Sequence, residues 1–162
     1  MECKQFLQST CNTTCKKAYQ CIQSIDTRSS IVCEENKKKY VLENPQNVNL
    51  GCYHVDGGVI ISSETKKCDY LIATMKDTEN KIILVELKGV NFETAIEQLD
   101  STMSLFANAL ANKKIFARVV GGQVPQIRNS ANAVKLQKKV MLTGGNLVVK
   151  SMTLTENETK LV

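Results

Sequence analysis

The hydrophobic pattern in the middle of the chain predicts three successive β-strands at residues 52–62, 67–75 and 81–89. Each segment is rich in β-branched and aromatic residues, and polar or glycine-containing turns separate the segments. Short connections of this kind join strands that lie side by side. We therefore expect a meander in which the second and third strands form an antiparallel hairpin around residues 76–80.

An amphipathic helix is predicted directly after these strands. Apolar residues recur at steps of three or four from Phe92 to Leu110, Asn91 is placed to cap the first turn, and Glu93 lies within that turn. The pattern continues with a strand, a helix and a last strand at residues 115–122, 129–140 and 146–154. This order predicts an α/β fold, a sandwich in which α-helices flank a central mixed β-sheet.

The N-terminal third has a less regular pattern. Apolar residues from Leu7 to Ile25 step by three or four, which predicts an amphipathic helix with Cys11 and Cys15 on its apolar face. Residues 27–50 are polar and irregular, so we expect a loop-rich connection there.

Seven cysteines are many for 162 residues, but their number is odd and no secretory signal is recognisable. Buried reduced thiols are therefore favoured over a zinc or iron–sulfur site, and disulfides are the least favoured. No stretch approaches the roughly 18 apolar residues of a membrane span. We expect a cytoplasmic protein without a membrane partner.

Two acidic residues are brought together by the predicted hairpin. In an antiparallel pair of strands, the residue numbers of two facing residues add up to a constant. For a turn centred near residues 77–78 this sum is about 155 or 156, so Asp69 faces Glu86 within one residue. Alternation along the third strand places Lys88 on the same face as Glu86. Adjacent carboxylates repel unless a cation joins them, and Mg²⁺ is commonly held by one or two carboxylates. The alternative that this spacing leaves open is an ordinary ion pair of Lys88 with either acid.

The residues Asp69 in KCDYLI, Glu86-Leu87-Lys88 in VELKG and Gln98 in AIEQL occur in an order that resembles the PD-(D/E)XK nuclease superfamily, which includes restriction endonucleases and Holliday-junction resolvases. The resemblance covers residues 54–110. It implies a restriction-endonuclease-like sandwich and a nuclease that hydrolyses phosphodiester bonds with Mg²⁺ or Mn²⁺. A DNA endonuclease is favoured over one acting on RNA.

The resemblance also implies a role for each matched residue. Asp69 and Glu86 would hold the metal, and the backbone carbonyl of Leu87 would complete a coordination position. Lys88 would act on the nucleophile, and Gln98 would help to orient the site.

Many members of the superfamily use one more acidic residue. Glu35 and Glu34 rank together ahead of Asp56, because Asp56 precedes Gly57-Gly58 and suits a turn. Cys68 occupies the position of the superfamily's usual proline. The chain is then expected to form one nuclease-like domain over residues 1–162, made of a helical cysteine-rich part, a catalytic core and a basic part at residues 1–50, 51–122 and 123–162.

The charge distribution fits a polyanionic partner as well as it fits ordinary solvated faces that keep the protein in solution. Residues 51–110 carry nine Asp and Glu against five Lys, whereas residues 111–162 carry nine Lys and Arg against two Glu. Basic surfaces bind phosphates. The residues expected to contact nucleic acid are Lys113, Lys114, Arg118, Arg128, Lys135, Lys138 and Lys139.

Two further expectations concern assembly and activity. Small nucleases often pair to cut both strands, so a homodimer is expected. The alternative function is a catalytically inactive nuclease-fold module that binds nucleic acid or a protein partner.

Overall fold

The structure is a computed structural model that describes residues 21–75, 80–89 and 91–162. Within these ranges the chain forms nine strands, two α-helices and two short 3₁₀ helices. The strands are β1 (Ile22–Asp26), β2 (Ser30–Glu35), β3 (Lys38–Glu43), β4 (Leu50–His54), β5 (Tyr70–Thr74), β6 (Lys81–Lys88), β7 (Lys114–Gly121), β8 (Leu147–Ser151) and β9 (Thr153–Asn157). The helices are α1 (Phe92–Leu105) and α2 (Ala131–Met141), with 3₁₀ turns at Ile127–Asn129 and Glu158–Lys160.

Six strands form a mixed sheet, here called the main sheet, in the order β1-β4-β5-β6-β7-β8. The strands β1, β4, β5 and β6 pair antiparallel, and β6, β7 and β8 pair parallel, with α1 and α2 as the crossovers. The predicted meander is present in β4, β5 and β6. The prediction of an α/β fold around a mixed sheet is therefore confirmed.

Three strands form a second sheet, here called the small sheet, in the order β2-β3-β9. The β2–β3 hairpin turns at Asn36 and Lys37, whose φ angles of 47° and 64° are typical of a two-residue type I′ turn. The small sheet packs on one face of the main sheet. The shared core includes Ile31, Cys33, Tyr40 and Leu42 on one side and Ile72, Ile83, Val85 and Phe116 on the other.

Both helices pack on the opposite face of the main sheet, so the molecule has three layers. Their buried residues, which contact Leu71, Leu84 and Ala117, include Ala95, Ile96, Leu99, Ala133, Leu136 and Val140. The predicted helical flank is confirmed for this face only, because the described residues cover the other face with the small sheet. No helix in the described ranges is long and apolar enough to cross a membrane.

The helix caps follow the sequence signals. The side chain of Asn91 accepts a 3.1 Å hydrogen bond from the N–H of Thr94, as predicted, and Ser130 caps α2 through the N–H of Ala133. Helix α1 ends at Leu105, five residues before the predicted end at Leu110.

Several predicted elements are wrong. The helix predicted to reach Ile25 is a strand over Ile22–Asp26, and its earlier residues, with Cys11 and Cys15, lie outside the described residues. The loop-rich connection at 27–50 contains β2 and β3 instead. The first predicted strand ends at His54, and the last one is split between β8 and β9, which belong to different sheets.

The described cysteines are Cys21, Cys33, Cys52 and Cys68, and all four are fully buried free thiols. The prediction of buried reduced thiols is confirmed for these four. The remaining three, Cys3, Cys11 and Cys15, lie outside the described ranges.

Candidate metal centre

Asp69 and Glu86 meet at the end of the β5–β6 hairpin. The last backbone pair of this ladder is Tyr70 with Val85, which gives the predicted sum of 155. One position further on, the N–H of Leu87 donates a 2.7 Å hydrogen bond to Oδ2 of Asp69. The predicted register is therefore confirmed, and the side chain of Asp69 caps the strand that carries Glu86.

Glu86 is a buried acid with one unpaired oxygen. Along β6, Ile82 and Leu84 face the helices, and Glu86 continues this face at 1% exposure. Its Oε2 has no hydrogen-bond partner among the described residues, and its Oε1 lies 3.7 Å from Nζ of Lys88. Burial, followed by the charge of Asp69, raises the pKa of Glu86 to about 9, against the opposing effects of Lys88 and of the Asp69 N–H.

Asp69 has a similar but weaker shift. Burial raises the pKa of Asp69 to about 6, and the hydrogen bond from the Leu87 N–H opposes this rise. The charge of Glu35 raises this pKa further, whereas Lys88 lowers it. Two such carboxyl groups share one site at neutral pH only if a proton or a cation offsets their charge.

The backbone of Leu87 also faces this site. In an extended strand the N–H and C=O of one residue point to the same side. Since the N–H of Leu87 points to Asp69, its carbonyl oxygen points to the Asp69 side as well. Two carboxyl groups and the carbonyl side of Leu87 therefore lie at the same end of β6.

Helix α1 fixes the segment that precedes Asp69. Nε2 of Gln98 donates to the carbonyl oxygen of Lys67 at 3.0 Å, and the N–H of Cys68 donates to Oγ1 of Thr102 at 2.8 Å. A proline at position 68 has no N–H to donate, so cysteine at this position supplies a bond to the helix that proline lacks. Oε1 of Gln98 is buried and has no partner among the described residues.

Thr102 is a site-supporting residue that the sequence analysis missed. It lies on the apolar face of α1 and is fully buried, so its position in the hydrophobic pattern gave no sign of a polar role. Its hydroxyl group donates to the carbonyl oxygen of Gln98 while it accepts from Cys68.

The three candidates for an additional acid are placed differently. Glu35 alternates with Ile31 and Cys33 along β2 and so lies on the side that faces the main sheet, and its charge raises the pKa of both Asp69 and Glu86. Glu34 alternates to the other side of β2 and pairs with Lys39 at 3.2 Å, so the structure does not bring it together with Glu35.

Asp56 is 53% exposed and pairs with the buried Lys67 at 3.1 Å. Among the described residues, no group of three or more His, Cys, Asp or Glu side chains is arranged to hold a metal ion. The donors at the end of β6 therefore come from two carboxylates and the backbone, within the one or two carboxylates that Mg²⁺ usually takes from a protein.

Most of the predicted basic residues lie far from the carboxylates. Lys114 pairs with Lys81 at the start of β6, and Gly121 pairs with Lys88 at its end. The two ends are about 23 Å apart at the usual rise of about 3.3 Å per residue. The predicted phosphate contacts at the start of β7 are therefore not beside the site.

The end of α2 contacts the same remote region, because Thr143 accepts a hydrogen bond from the N–H of Ile115. Lys138 and Lys139 in the last turn are thus also remote, and Lys139 pairs with Asp100 at 2.6 Å. Of the predicted basic residues that remain, Lys113 is half-buried and bonds to Asn80 just before β6, at the remote end of the sheet. Lys135 and Arg128 are exposed, the first within α2 and the second between β7 and α2.

Arg118 is wrongly predicted as a nucleic-acid contact. It is fully buried, and its Nε lies 2.5 Å from Oε2 of Glu156. Its Nη1 donates to two backbone carbonyl groups at 3.0 Å, and its guanidinium group lies 5.4 Å from the ring centre of Phe116. Arg118 therefore joins β7 to β9 inside the protein.

The donor set at the end of β6 fits a hard divalent cation. The Oε2 of Glu86 is buried and unpaired, so this carboxyl group needs either a proton or a cation, and oxygen ligands are those that Mg²⁺ prefers. Comparisons with protein-family models, with curated proteins and with solved structures found no match for this chain.

Proposed function

We propose that the protein is a metal-dependent nuclease of the PD-(D/E)XK type, with a restriction-endonuclease-like sandwich fold and DNA as its substrate. The observation that carries this proposal is the buried, unpaired Oε2 of Glu86 beside Asp69 and the carbonyl side of Leu87. The ion would be Mg²⁺ or Mn²⁺. The four residues that carry the resemblance also lie at one end of the main sheet, which supports the same assignment. They are Asp69, Glu86, Lys88 and Gln98.

Each site residue would have a role that follows from its position. Asp69 and Glu86 would hold the ion, and the ion would supply Lewis-acid activation of water and offset negative charge on the phosphate. Lys88 is 34% exposed at its side chain, so its ammonium group can reach both Glu86 and a phosphate oxygen or attacking water. Gln98 holds the backbone ahead of Asp69 and acts as a positioning residue.

Plasmid nicking tests the proposal. The purified protein should nick supercoiled DNA with Mg²⁺ or Mn²⁺, and Glu86→Gln or Lys88→Ala should reduce the rate by about 100-fold or more. Glu34→Gln is the matched control, because it removes an exposed carboxylate from the small sheet without touching the site. Equal nicking by the wild-type and Glu86→Gln proteins would contradict the proposal.

A second candidate is the inactive nuclease-fold module that binds nucleic acid or a protein. It is favoured by the presence of only two close carboxylates, since the described residues contain no group of three acidic or other ligating side chains. Calorimetry with Mn²⁺ separates the two functions. Heat that disappears in Glu86→Gln supports the enzyme, and DNA binding without such heat supports the module.

A further inference from the structure

The turn of the β2–β3 hairpin lies at the same end of the molecule as the carboxylates. Lys88 pairs with Gly121, whose carbonyl oxygen accepts a 3.0 Å hydrogen bond from the N–H of Met152. The carbonyl oxygen of Met152 in turn accepts a 2.9 Å bond from the N–H of Lys39. A continuous path of backbone pairs therefore runs from the end of β6 to the start of β3.

The pairing of β2 with β3 extends this path to the hairpin turn. Glu35 pairs with Lys38 at the end of the hairpin, and the turn at residues 36–37 joins them. The next residue of β3, Lys39, is the one that bonds to Met152. The turn therefore lies within two residues of the backbone path that leads to the end of β6.

Three cations lie along this end of the small-sheet side. Lys37 is exposed in the turn, and Lys38 is half-buried with its Nζ donating to the carbonyl oxygen of Asn36 at 3.2 Å. Lys150 is exposed near the end of β8, one residue before the pair of Ser151 with Gly121.

Lys150 lies on the small-sheet side because it alternates with Val149, which packs against the helix-side core. In the described ranges, no carboxylate lies within 4.0 Å of the ammonium groups of Lys37, Lys38 or Lys150. By contrast, the neighbouring Lys39 is paired with Glu34.

We propose that Lys37, Lys38 and Lys150, here called the hairpin rim, bind the phosphate backbone of the nucleic acid at the end of the main sheet where Asp69 and Glu86 lie. This inference rests on the proposed function and names the surface that its substrate uses. The rim cations are long, have no carboxylate partner in the described ranges, and are spread over two layers of the protein about 10 Å apart, an arrangement that suits an extended polyanion better than a single small anion. Contacts of this kind position the substrate without reading its sequence.

The chain provides a matched control for the rim. Lys113, Lys114 and Lys138 are also three cations without a carboxylate partner in the described ranges, but they lie at the opposite end of the main sheet. The triple variant Lys37→Gln, Lys38→Gln, Lys150→Gln and the triple variant Lys113→Gln, Lys114→Gln, Lys138→Gln lose the same charge. Any difference in DNA binding between the two variants is therefore caused by the positions of the lost charges and not by the change in net charge.

The experiment measures binding of a labelled DNA duplex by fluorescence anisotropy at several salt concentrations, with a chelator to prevent cleavage. Loss of three phosphate contacts should lower the slope of log affinity against log salt by about 2.7 in magnitude. We expect this change and at least a tenfold weaker Kd for the rim variant, with little change for the control variant. Equal effects of the two variants, or a larger effect of the control, would overturn the inference.

Steady-state nicking separates this inference from the proposed function. The rim variant should raise KM and leave kcat nearly unchanged, because the rim binds substrate without contacting the reacting atoms. If Glu86→Gln abolishes nicking but the rim variant binds DNA with wild-type affinity, the proposed role of the rim is wrong and the proposed nuclease activity is supported. If neither Mg²⁺ nor Mn²⁺ supports nicking but DNA binding depends on the rim, the proposed role of the rim is supported and the proposed nuclease activity is wrong.

Discussion

The backbone N–H of Leu87 donates a 2.7 Å hydrogen bond to Oδ2 of Asp69, so this side chain extends the β5–β6 pairing beyond its last backbone pair. The bond fixes the orientation of the carboxylate against the end of β6. It also brings the charge of Asp69 close enough to raise the pKa of Glu86. The same contact therefore joins the fold of the hairpin to the chemistry of the site.

Asp69→Asn should separate the structural role of Asp69 from its ligand role. The amide oxygen of asparagine can still accept from the Leu87 N–H, but it carries no charge. We expect a folded protein whose affinity for Mn²⁺, measured by calorimetry, falls by about 100-fold or more. Asp56→Asn is the control, since Asp56 is exposed and pairs with Lys67. Unchanged Mn²⁺ affinity in Asp69→Asn would exclude Asp69 as a ligand.

Thr102→Val should destabilise the protein by about 1–3 kcal/mol, because the buried N–H of Cys68 loses its acceptor while the shape of the side chain is kept. Urea unfolding measures this change in free energy. Ser101→Ala is the control: it removes a hydroxyl that bonds to Lys66 at an exposed position and should change stability by less than about 0.5 kcal/mol. Equal effects of the two substitutions would mean that α1 does not hold the segment ahead of Asp69 through Thr102.

The hairpin and α1 were predictable because their signals are local. The register of β5 and β6 follows from the position of one short turn, and the cap at Asn91 follows from residue type. Both signals are independent of the rest of the fold. This is why the convergence of Asp69 and Glu86 could be predicted from the sequence.

The small sheet was missed because its signal is weak. Ile31 and Cys33 alternate with exposed residues, and Tyr40 and Leu42 alternate with the half-buried Lys39 and Val41, but only two positions of each strand are buried in this way. The Asn36-Lys37 turn between them lacks glycine, which is the usual marker of a type I′ turn. As a result, the cations at this turn were not connected to the site.

The role of Arg118 depends on a contact that no local pattern reveals. Its partner Glu156 lies 38 residues away on β9 and also accepts a 2.9 Å hydrogen bond from the hydroxyl of Tyr40. In the sequence, Arg118 lies in the basic C-terminal third, where an arginine resembles a surface cation. Only the packing of the small sheet on the main sheet makes it a buried ion pair.

Arg118→Met should therefore affect stability and not DNA binding. Removal of one partner leaves the carboxylate of Glu156 without its cation, which costs about 3 kcal/mol or more for a buried pair. Urea unfolding should show this loss, and Glu156→Gln in the same chain should restore part of it. The salt dependence of DNA binding should stay unchanged. A variant with full stability but weaker DNA binding would restore the original assignment of Arg118 to the nucleic-acid surface.

Cys33 and Cys52 should remain reduced and unreactive in the folded protein. Both are fully buried and their sulfur atoms lie 4.0 Å apart. The hydrogen bond with Cys52, together with burial, raises the pKa of the Cys33 thiol, so little thiolate is present to react. Iodoacetamide followed by peptide mass spectrometry should label both cysteines only after denaturation. Isolation of a peptide pair linked by a Cys33–Cys52 disulfide would contradict this prediction.

The metal-free protein should lose stability as the pH rises. The pKa of Glu86 is raised from 4.5 to about 9 on folding, so between these values the folded state binds more protons than the unfolded state. The free energy of unfolding then falls with increasing pH, by up to about 1.4 kcal/mol per pH unit for this one group. Asp69, raised from 3.8 to about 6, adds to the fall at the acidic end of this range.

Urea unfolding in the presence of a chelator, at several values between pH 5 and pH 8.5, measures how the free energy of unfolding changes with pH. Glu86→Gln should flatten it above about pH 6, whereas Glu34→Gln, which changes an exposed carboxylate, should leave it unchanged. Mn²⁺ competes with the proton for the same oxygens, so the stabilisation that it gives should grow as the pH rises. A wild-type slope equal to that of Glu86→Gln would show that Glu86 ionises normally in the folded protein, and the unpaired Oε2 would no longer support a cation site.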